Sequence, residues 1–466
     1  SAVRAGLRIL DEHRATLGAT DLRAHASGHR VELVELGLRM AMAEGSLARV
    51  FAWAEHGRAS HLMLRPARPP DDPELAQWLA ELRSTAAEIY RQRIAGRGVA
   101  RLVQRQVALE RTIRDYMRRQ RHSSAVMPLA QPVRPADLAP ALGETALVEY
   151  VALDEKLYAI SIVDGRARLR AVGEVSAVRA LVDRIAFTLR RVGHRYASEA
   201  SRSAASTLLR QSARALDTVV VRSIADEVQD RPLLVIPTGP LQSVPWSILP
   251  SCSGRPVTVA PSAALWWQAN RDAPDAGSRV AVVGYGLPGA VSEAIAVAAL
   301  HRTDPLLGAD ATVDAVTEAM SGAGLAHLAT HGMVRPQNPL FSSLVLEDGP
   351  LTVYDLERLA GVPQMVILAA CDSGRTVVRA GDELLGISAT LLSRGAQQVV
   401  ASVVPVPDVE TAPVMVAFHE ALVAGQPAPR ALADAQQKIA TDGGAAMAAA
   451  AGFVCVGAAY TMPGRP

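Results

Sequence analysis

The chain has 466 residues, 49% of them hydrophobic, with 48 Lys+Arg against 46 Asp+Glu and a formal net charge of +2. That length exceeds one ordinary core and predicts two or three domains, and the near balance of charge argues against wholesale nucleic-acid binding. Three cysteines, Cys252, Cys371 and Cys455, stand far apart with no CxxC and no His/Cys cluster, which argues against a disulfide framework or structural metal and predicts a reducing cytoplasm.

No apolar run approaches the roughly 20 residues that span a bilayer, and no charged-then-apolar leader opens the sequence, so no membrane partner is expected. Arg carries nearly all the positive charge, with Lys only at Lys156 and Lys438, a bias that suggests a bacterial, GC-rich source. The chain starts on Ser1 inside what reads as a helix, as a piece of a longer protein would.

Residues 1–122 read as an all-helical module. Val34, Leu36, Leu38, Met40 and Met42 are apolar among Glu and Arg, and Leu47, Val50, Phe51 and Ala54 recur at helical spacing. Asp71-Asp72-Pro73 reads as a helix start, and two long helices broken near Gly96 and Gly98 fit between Glu74 and Arg121, as at the end of a repeat-like array. Their basic run from Arg101 to Arg121 is softened by Glu110 and Asp115 and has no aromatic platform beyond Tyr116, so direct nucleic-acid contact is not expected and a partner-docking helix is the better functional use. Residues 123–143, with Pro128, Pro132, Pro135 and Pro140, read as a linker. Residues 144–275 open with a meander of strands from Ala146, Lys156 and Ala167, then carry helices and an apolar strand, Leu233 to Ile236. From residue 276 to 466 strands and helices alternate, which predicts an α/β domain with a mostly parallel sheet flanked by helices.

Two strand ends carry chemistry. The run Leu325 to Thr330 meets His331 and Gly332, and Met365 to Ala370 meets Cys371, Asp372, Ser373 and Gly374. Residues just past the carboxyl ends of parallel strands reach ligands, and a thiol with a nearby imidazole is a nucleophile–base pair that needs no metal or cofactor. The backbone N–H groups of Gly332 and Cys371 would form an oxyanion hole. His327 shares its strand face with His331 but lies inside the apolar run. The stretch from Gly284 to Gly289 fits a dinucleotide-binding glycine pattern, but Pro288 removes an N–H where a phosphate needs donors.

Taken together, Leu328-Ala329-Thr330-His331-Gly332, Pro339-Leu340-Phe341-Ser342-Ser343-Leu344, Leu351-Thr352-Val353-Tyr354-Asp355-Leu356, Leu368-Ala369-Ala370-Cys371-Asp372-Ser373-Gly374 and Gly381-Asp382-Glu383 resemble the CHAT domain. That family consists of caspase-like cysteine peptidases related to separase and often fused to tetratricopeptide repeats. The resemblance extends upstream through Pro237-Thr238-Gly239-Pro240-Leu241 and Val244-Pro245-Trp246. It implies a Cys371/His331 dyad, Gly332 in the oxyanion hole, and an inactive protease-like half over about 144–275 beside a catalytic half over 276–466. It also implies a protein substrate, regulation by a protein partner through the helices, and a setting in antiviral defence beside gasdermin-like or RNA-guided systems. Asp372, Ser373, Val404, Pro405 and Asp408 are the expected substrate-binding residues. Separase-like relatives select a basic P1 side chain with an acidic residue where Pro405 stands, with Ala369 two before the Cys, so a neutral or apolar P1 is expected here. The alternative is a catalytically silent scaffold of the same fold kept for protein binding.

Overall fold

In a computed structural model of the chain, residues 2–15, 17, 22, 28–58, 72–119, 133–194, 198–271, 279–335, 338–369, 377–379 and 383–462 are described. Among the described residues the N-terminal helices are α1 (Ala2–Ala15), α2 (Gly28–Ala43), α3 (Leu47–His56), α4 (Pro73–Ile94) and α5 (Ala100–Arg119). The predicted start of α4 is present. The Asp72 carboxylate accepts the N–H of Glu74 at 2.9 Å and Pro73 takes the first helical position, where a missing N–H costs nothing. These helices, expected from the sequence as one module, divide between two cores. Leu38, Val50, Phe51 and Trp53 pack with Leu147, Ile160 and Trp266, whereas Leu75, Leu79, Leu82, Ile113 and Met117 pack with Leu340, Phe341 and Tyr354.

The expected linker over 123–143 contains a helix, α6 (Pro135–Leu142), which buries Leu138 and Leu142 in the first of those cores. Pro135 sits at its first position and Asp137 accepts the N–H of Arg134 at 3.2 Å. The remainder of that stretch, before residue 133, lies outside the described residues.

Next come β1 (Ala146–Leu153), β2 (Lys156–Val163) and β3 (Arg166–Glu174), the predicted meander. Its tight turns have positive φ at Asp154 (49°), Glu155 (60°), Asp164 (49°) and Gly165 (73°), the backbone twist that two-residue hairpins require. The chain continues through α7 (Val175–Gly193), α8 (Glu199–Val220), α9 (Ala225–Val228), β4 (Leu233–Ile236), β5 (Val257–Val259) and α10 (Ala263–Arg271). Then follow β6 (Val280–Gly284), α11 (Pro288–His301), β7 (Leu306–Leu307), α12 (Val313–Ser321) and β8 (Leu325–Ala329). A small sheet comes next, of β9 (Gly332–Met333), β10 (Ser343–Leu346) and β11 (Gly349–Thr352), followed by α13 (Val353–Glu357) and β12 (Met365–Ala369). The remaining elements are the paired β13 (Val377–Arg379) and β14 (Glu383–Leu385), α14 (Ile387–Ser393), β15 (Gln398–Ser402), α15 (Asp408–Val423), α16 (Ala428–Ala440), α17 (Gly444–Gly452) and β16 (Phe453–Gly457). The chain breaks between α15 and α16 at Gly425, with φ 86°, and at Pro427.

One 11-stranded sheet runs through the molecule in the order β3-β2-β1-β4-β5-β16-β15-β12-β8-β6-β7. Only the β1/β2, β2/β3 and β15/β16 pairs are antiparallel, so the predicted mixed α/β fold with a mostly parallel sheet is what forms. Both faces are covered, as near-continuous apolar strands demand. On β12, Val366 and Leu368 join the core under α4 and α5, while Met365 and Ile367 join Phe418 and Leu432 of α15 and α16 on the opposite face. The late strand β16 is the seam, parallel to β5 and antiparallel to β15.

Where β4 ends, the first half of the sheet is closed. Arg58, just past α3, donates to the Glu149 carboxylate at 2.9 Å, to the Pro237 carbonyl at 2.6 Å and to the Tyr150 carbonyl. The two charged side chains are 3% and 0% exposed.

Candidate functional site

The carboxyl end of β8 is held on both sides. The N–H of Tyr285, the first residue after β6, donates to the Ala329 carbonyl at 3.0 Å, and the N–H of Val345 in β10 donates to the His331 carbonyl at 2.9 Å. The Thr330 hydroxyl donates to the Val345 carbonyl. Gly332 then pairs with Leu344 as the chain enters β9. His331 is thereby presented, half-buried, at the strand tip on an anchored backbone. A Cβ on Gly286 would stand 3.7 Å from the His331 ring, and Gly286 itself has φ 77°, a conformation glycine adopts without strain.

His327 takes the other course open to it. It is fully buried, its Nε2 meets Glu293 Oε1 at 2.9 Å, and its Nδ1 meets Nε2 of His419 at 3.1 Å. His419 Nδ1 in turn meets His301 Nε2 at 2.8 Å. Burial pushes the Glu293 carboxyl above its ordinary range, against the pull of His327, and holds His419 well below the usual imidazole range with the neighbouring His327 and His301 adding to it. His327 is a core residue, and His331 is the histidine at the open edge.

β12 lies beside β8 in parallel register, with Ala369 opposite Ala329. Cys371, Asp372 and Ser373 follow it and lie outside the described residues. The other two cysteines are buried, with the Cys252 thiol pushed up to about 12 and the Cys455 thiol driven up further, in both by desolvation. Neither forms a thiolate at neutral pH.

Three residues of the loop after β15 were expected to bind substrate. Val404 is 2% exposed and packs in the core of the first half with Val403, Ala448 and Ala451, so its side chain faces protein. Pro405 is half-buried. Asp408 is turned to α11, where its Oδ2 accepts the N–H of Gly289 at 3.0 Å, a carboxylate at the positive end of a helix. Sequence spacing gave no sign of that contact. It also disposes of the dinucleotide pattern. A Cβ on Gly289 would lie 2.5 Å from the Asp408 carboxylate, and one on Gly284 would lie 2.6 Å from Ala294 and 2.7 Å from the Ala290 carbonyl. Those glycines serve close packing of β6 on α11, and the helix end that would take a phosphate already holds an anion.

Beside His331 and Gly332 is a cavity of about 500 Å³. Its far wall comes from α4 and α5, a contribution that sequence periodicity could not indicate. Among the described residues no three His, Cys, Asp or Glu side chains form a metal-binding group, and no helix is long and apolar enough to cross a membrane.

Solved structures with this fold include two of the Saccharomyces cerevisiae separase–securin complex, with TM-scores of 0.56 and 0.51 at 9% and 8% identity. They cover 95% and 94% of this chain, which in turn spans only 38% of the matched chain in each. At such identity the likeness is one of fold alone. No curated protein matches the chain by sequence. The CHAT domain model matches residues 210–458, more than half of the length, from the middle of α8 through β16, so the chain belongs to the CHAT domain family.

Proposed function

We propose that the chain is a cysteine endopeptidase in which Cys371 is the nucleophile and His331 its general base and acid. One observation carries the reading. β8 and β12 are parallel neighbours with Ala329 opposite Ala369, and His331 and Cys371 each follow that pair by two residues. Neighbouring strands run about 4.8 Å apart, so equal offsets at adjacent carboxyl ends favour an imidazole facing a thiol.

The thiolate of Cys371, its proton taken by His331, attacks the scissile carbonyl carbon. The N–H groups of Gly332 and Cys371 stabilise the resulting oxyanion. Collapse breaks the C–N bond as the His331 imidazolium gives its proton to the leaving amine, and a water deprotonated by His331 then hydrolyses the thioester. Contact with the acyl half of the substrate is assigned to Asp372, Ser373 and Pro405. With Asp408 committed to Gly289, no acidic group of that loop selects a basic P1, which supports a neutral or apolar P1.

The substrate is a specific protein and the setting is cytoplasmic bacterial defence, in keeping with the resemblance to gasdermin-linked and RNA-guided relatives. A protein partner acts through the N-terminal helices; the contact of α4 and α5 with the cavity beside His331 supports this, as does the pairing of separase with securin in the similar structures. The test is cleavage of a synthetic random-decapeptide library and of candidate substrate proteins. Cys371→Ala and His331→Ala are expected to lower the rate at least about a thousandfold. Unchanged cleavage in Cys371→Ala would sink the peptidase and leave a binding scaffold.

A further inference from the structure

We infer that the cavity beside His331 receives the side chain immediately following the cleaved bond and selects a large apolar residue there. This rests on the peptidase reading above and adds a specificity determinant to it.

The side of the site follows from topology. β8 has β12 on one flank and β6 on the other. The cavity is bounded by His331 and Gly332 after β8 and by Tyr285 after β6, so it lies across His331 from β12. The general acid must come within about 2.6–3.2 Å of the leaving nitrogen. That nitrogen belongs to the residue after the scissile bond, which therefore sits on the imidazole's side of the dyad.

The chemistry of the walls follows from their residues. Ile89, Val345, Leu346 and Pro350 line the cavity, and Tyr90 and Val107 stand at its mouth, 44% and 59% exposed. Several of the polar groups around it are partnered within the protein, although Arg93 also lines it. Tyr285 donates its hydroxyl to Glu347, and burial with that acceptor pushes its pKa up to about 12. Arg335 pairs with Glu110 at 2.9 Å and Arg91 with Glu88 at 2.8 Å. A polar guest would give up water for little return, whereas an apolar guest loses nothing. A volume of about 500 Å³ falls within the roughly 300–1,000 Å³ of pockets that hold small ligands.

The wall is fixed in place. Gly349 of β11 has φ 132°, and a Cβ there would lie 2.5 Å from the Arg83 carbonyl of α4, so helix backbone sits directly on the strand. Arg83 also pairs with Asp355 at 2.9 Å. Ile89, Tyr90 and Val107 lie outside the family-matched residues 210–458, which makes this selectivity a property of the chain's own helices.

The random-decapeptide library decides it. In cut products, Leu, Ile, Met, Phe and Tyr should exceed Gly and Asp at the first position after the cut by roughly tenfold or more. Val107→Glu, a change at an exposed position, should erase that excess. Retention of the same library on the Cys371→Ala chain, which needs no chemistry, should favour peptides with a large apolar residue and fall about tenfold in Val107→Glu. Cysteine-dependent cleavage with no preference after the cut overturns the inference, as does retention that is absent or indifferent to Val107→Glu. Absent cleavage with retention that does depend on Val107 sinks the peptidase alone and supports the pocket as a peptide-binding site.

Discussion

The two halves of the sheet receive the same kind of cover, a pair of N-terminal helices, and come out chemically opposite. Over the first half α2 and α3 pack on β1, β2 and β4, and Arg58 closes the end of β4 with a buried ion pair to Glu149. Over the second half α4 and α5 pack as tightly, yet leave a cavity of about 500 Å³ beside His331. A strand tip filled by a desolvated charged pair has no room for a peptide. In the proposed division into a silent half and an active one, the difference is whether the covering helices plug the carboxyl edge or stand back from it.

The largest expected effect breaks the plug. Arg58→Ala leaves Glu149 buried without its cation and should cost about 3–5 kcal/mol in urea unfolding, with part of that recovered by adding Glu149→Gln. A cost under about 1 kcal/mol would mean that the pair does not close that half.

Acid sharpens the contrast from both sides. His56 of α3 is held neutral, its pKa pulled down to about 4 by burial first and by Arg30 and Arg4, and His419 of α15 is lowered by burial as well. The unfolded chain takes up these protons near pH 6.5. Stability is therefore full above that pH and lost as pH falls from 6.5 towards 4, by at most about 1.4 kcal/mol per pH unit for each histidine. Melting temperatures between pH 7.5 and 5 check this, and His56→Asn should remove the share belonging to the first half.

The smallest effect concerns Asp408. Asp408→Ala removes the carboxylate from the start of α11 and should cost about 1 kcal/mol in thermal unfolding. An unchanged melting point together with an altered P1 preference would return Asp408 to the substrate.

Much of this architecture can be read in the sequence, because each parallel strand is a short apolar run and each run ends abruptly. His331 stands out for that reason. His327 could not be separated from it by face, since an even offset keeps both on one side, and only the arrival of Glu293 and His419 from two helices identifies it as core. Helical periodicity shows that α2 and α4 each bury a face but not against which neighbour, so their division between two cores was hidden. Of the prolines that made 135–142 read as a linker, Pro135 fits a helix because it falls at the first position, whereas Pro140 lies inside the helix. Asp408 meets a backbone N–H 119 residues away, beyond the reach of any local pattern.

The seam strand has a consequence for synthesis. β16 leaves the ribosome after every other strand of this sequence, yet it lies between β5 and β15. Until it emerges, the two blocks of sheet have no shared backbone ladder, and each has an unpaired edge. Pairing across so long a stretch of chain closes late and slowly, which leaves those two edges open to wrong pairing and delays completion of the sheet until β16 has been made.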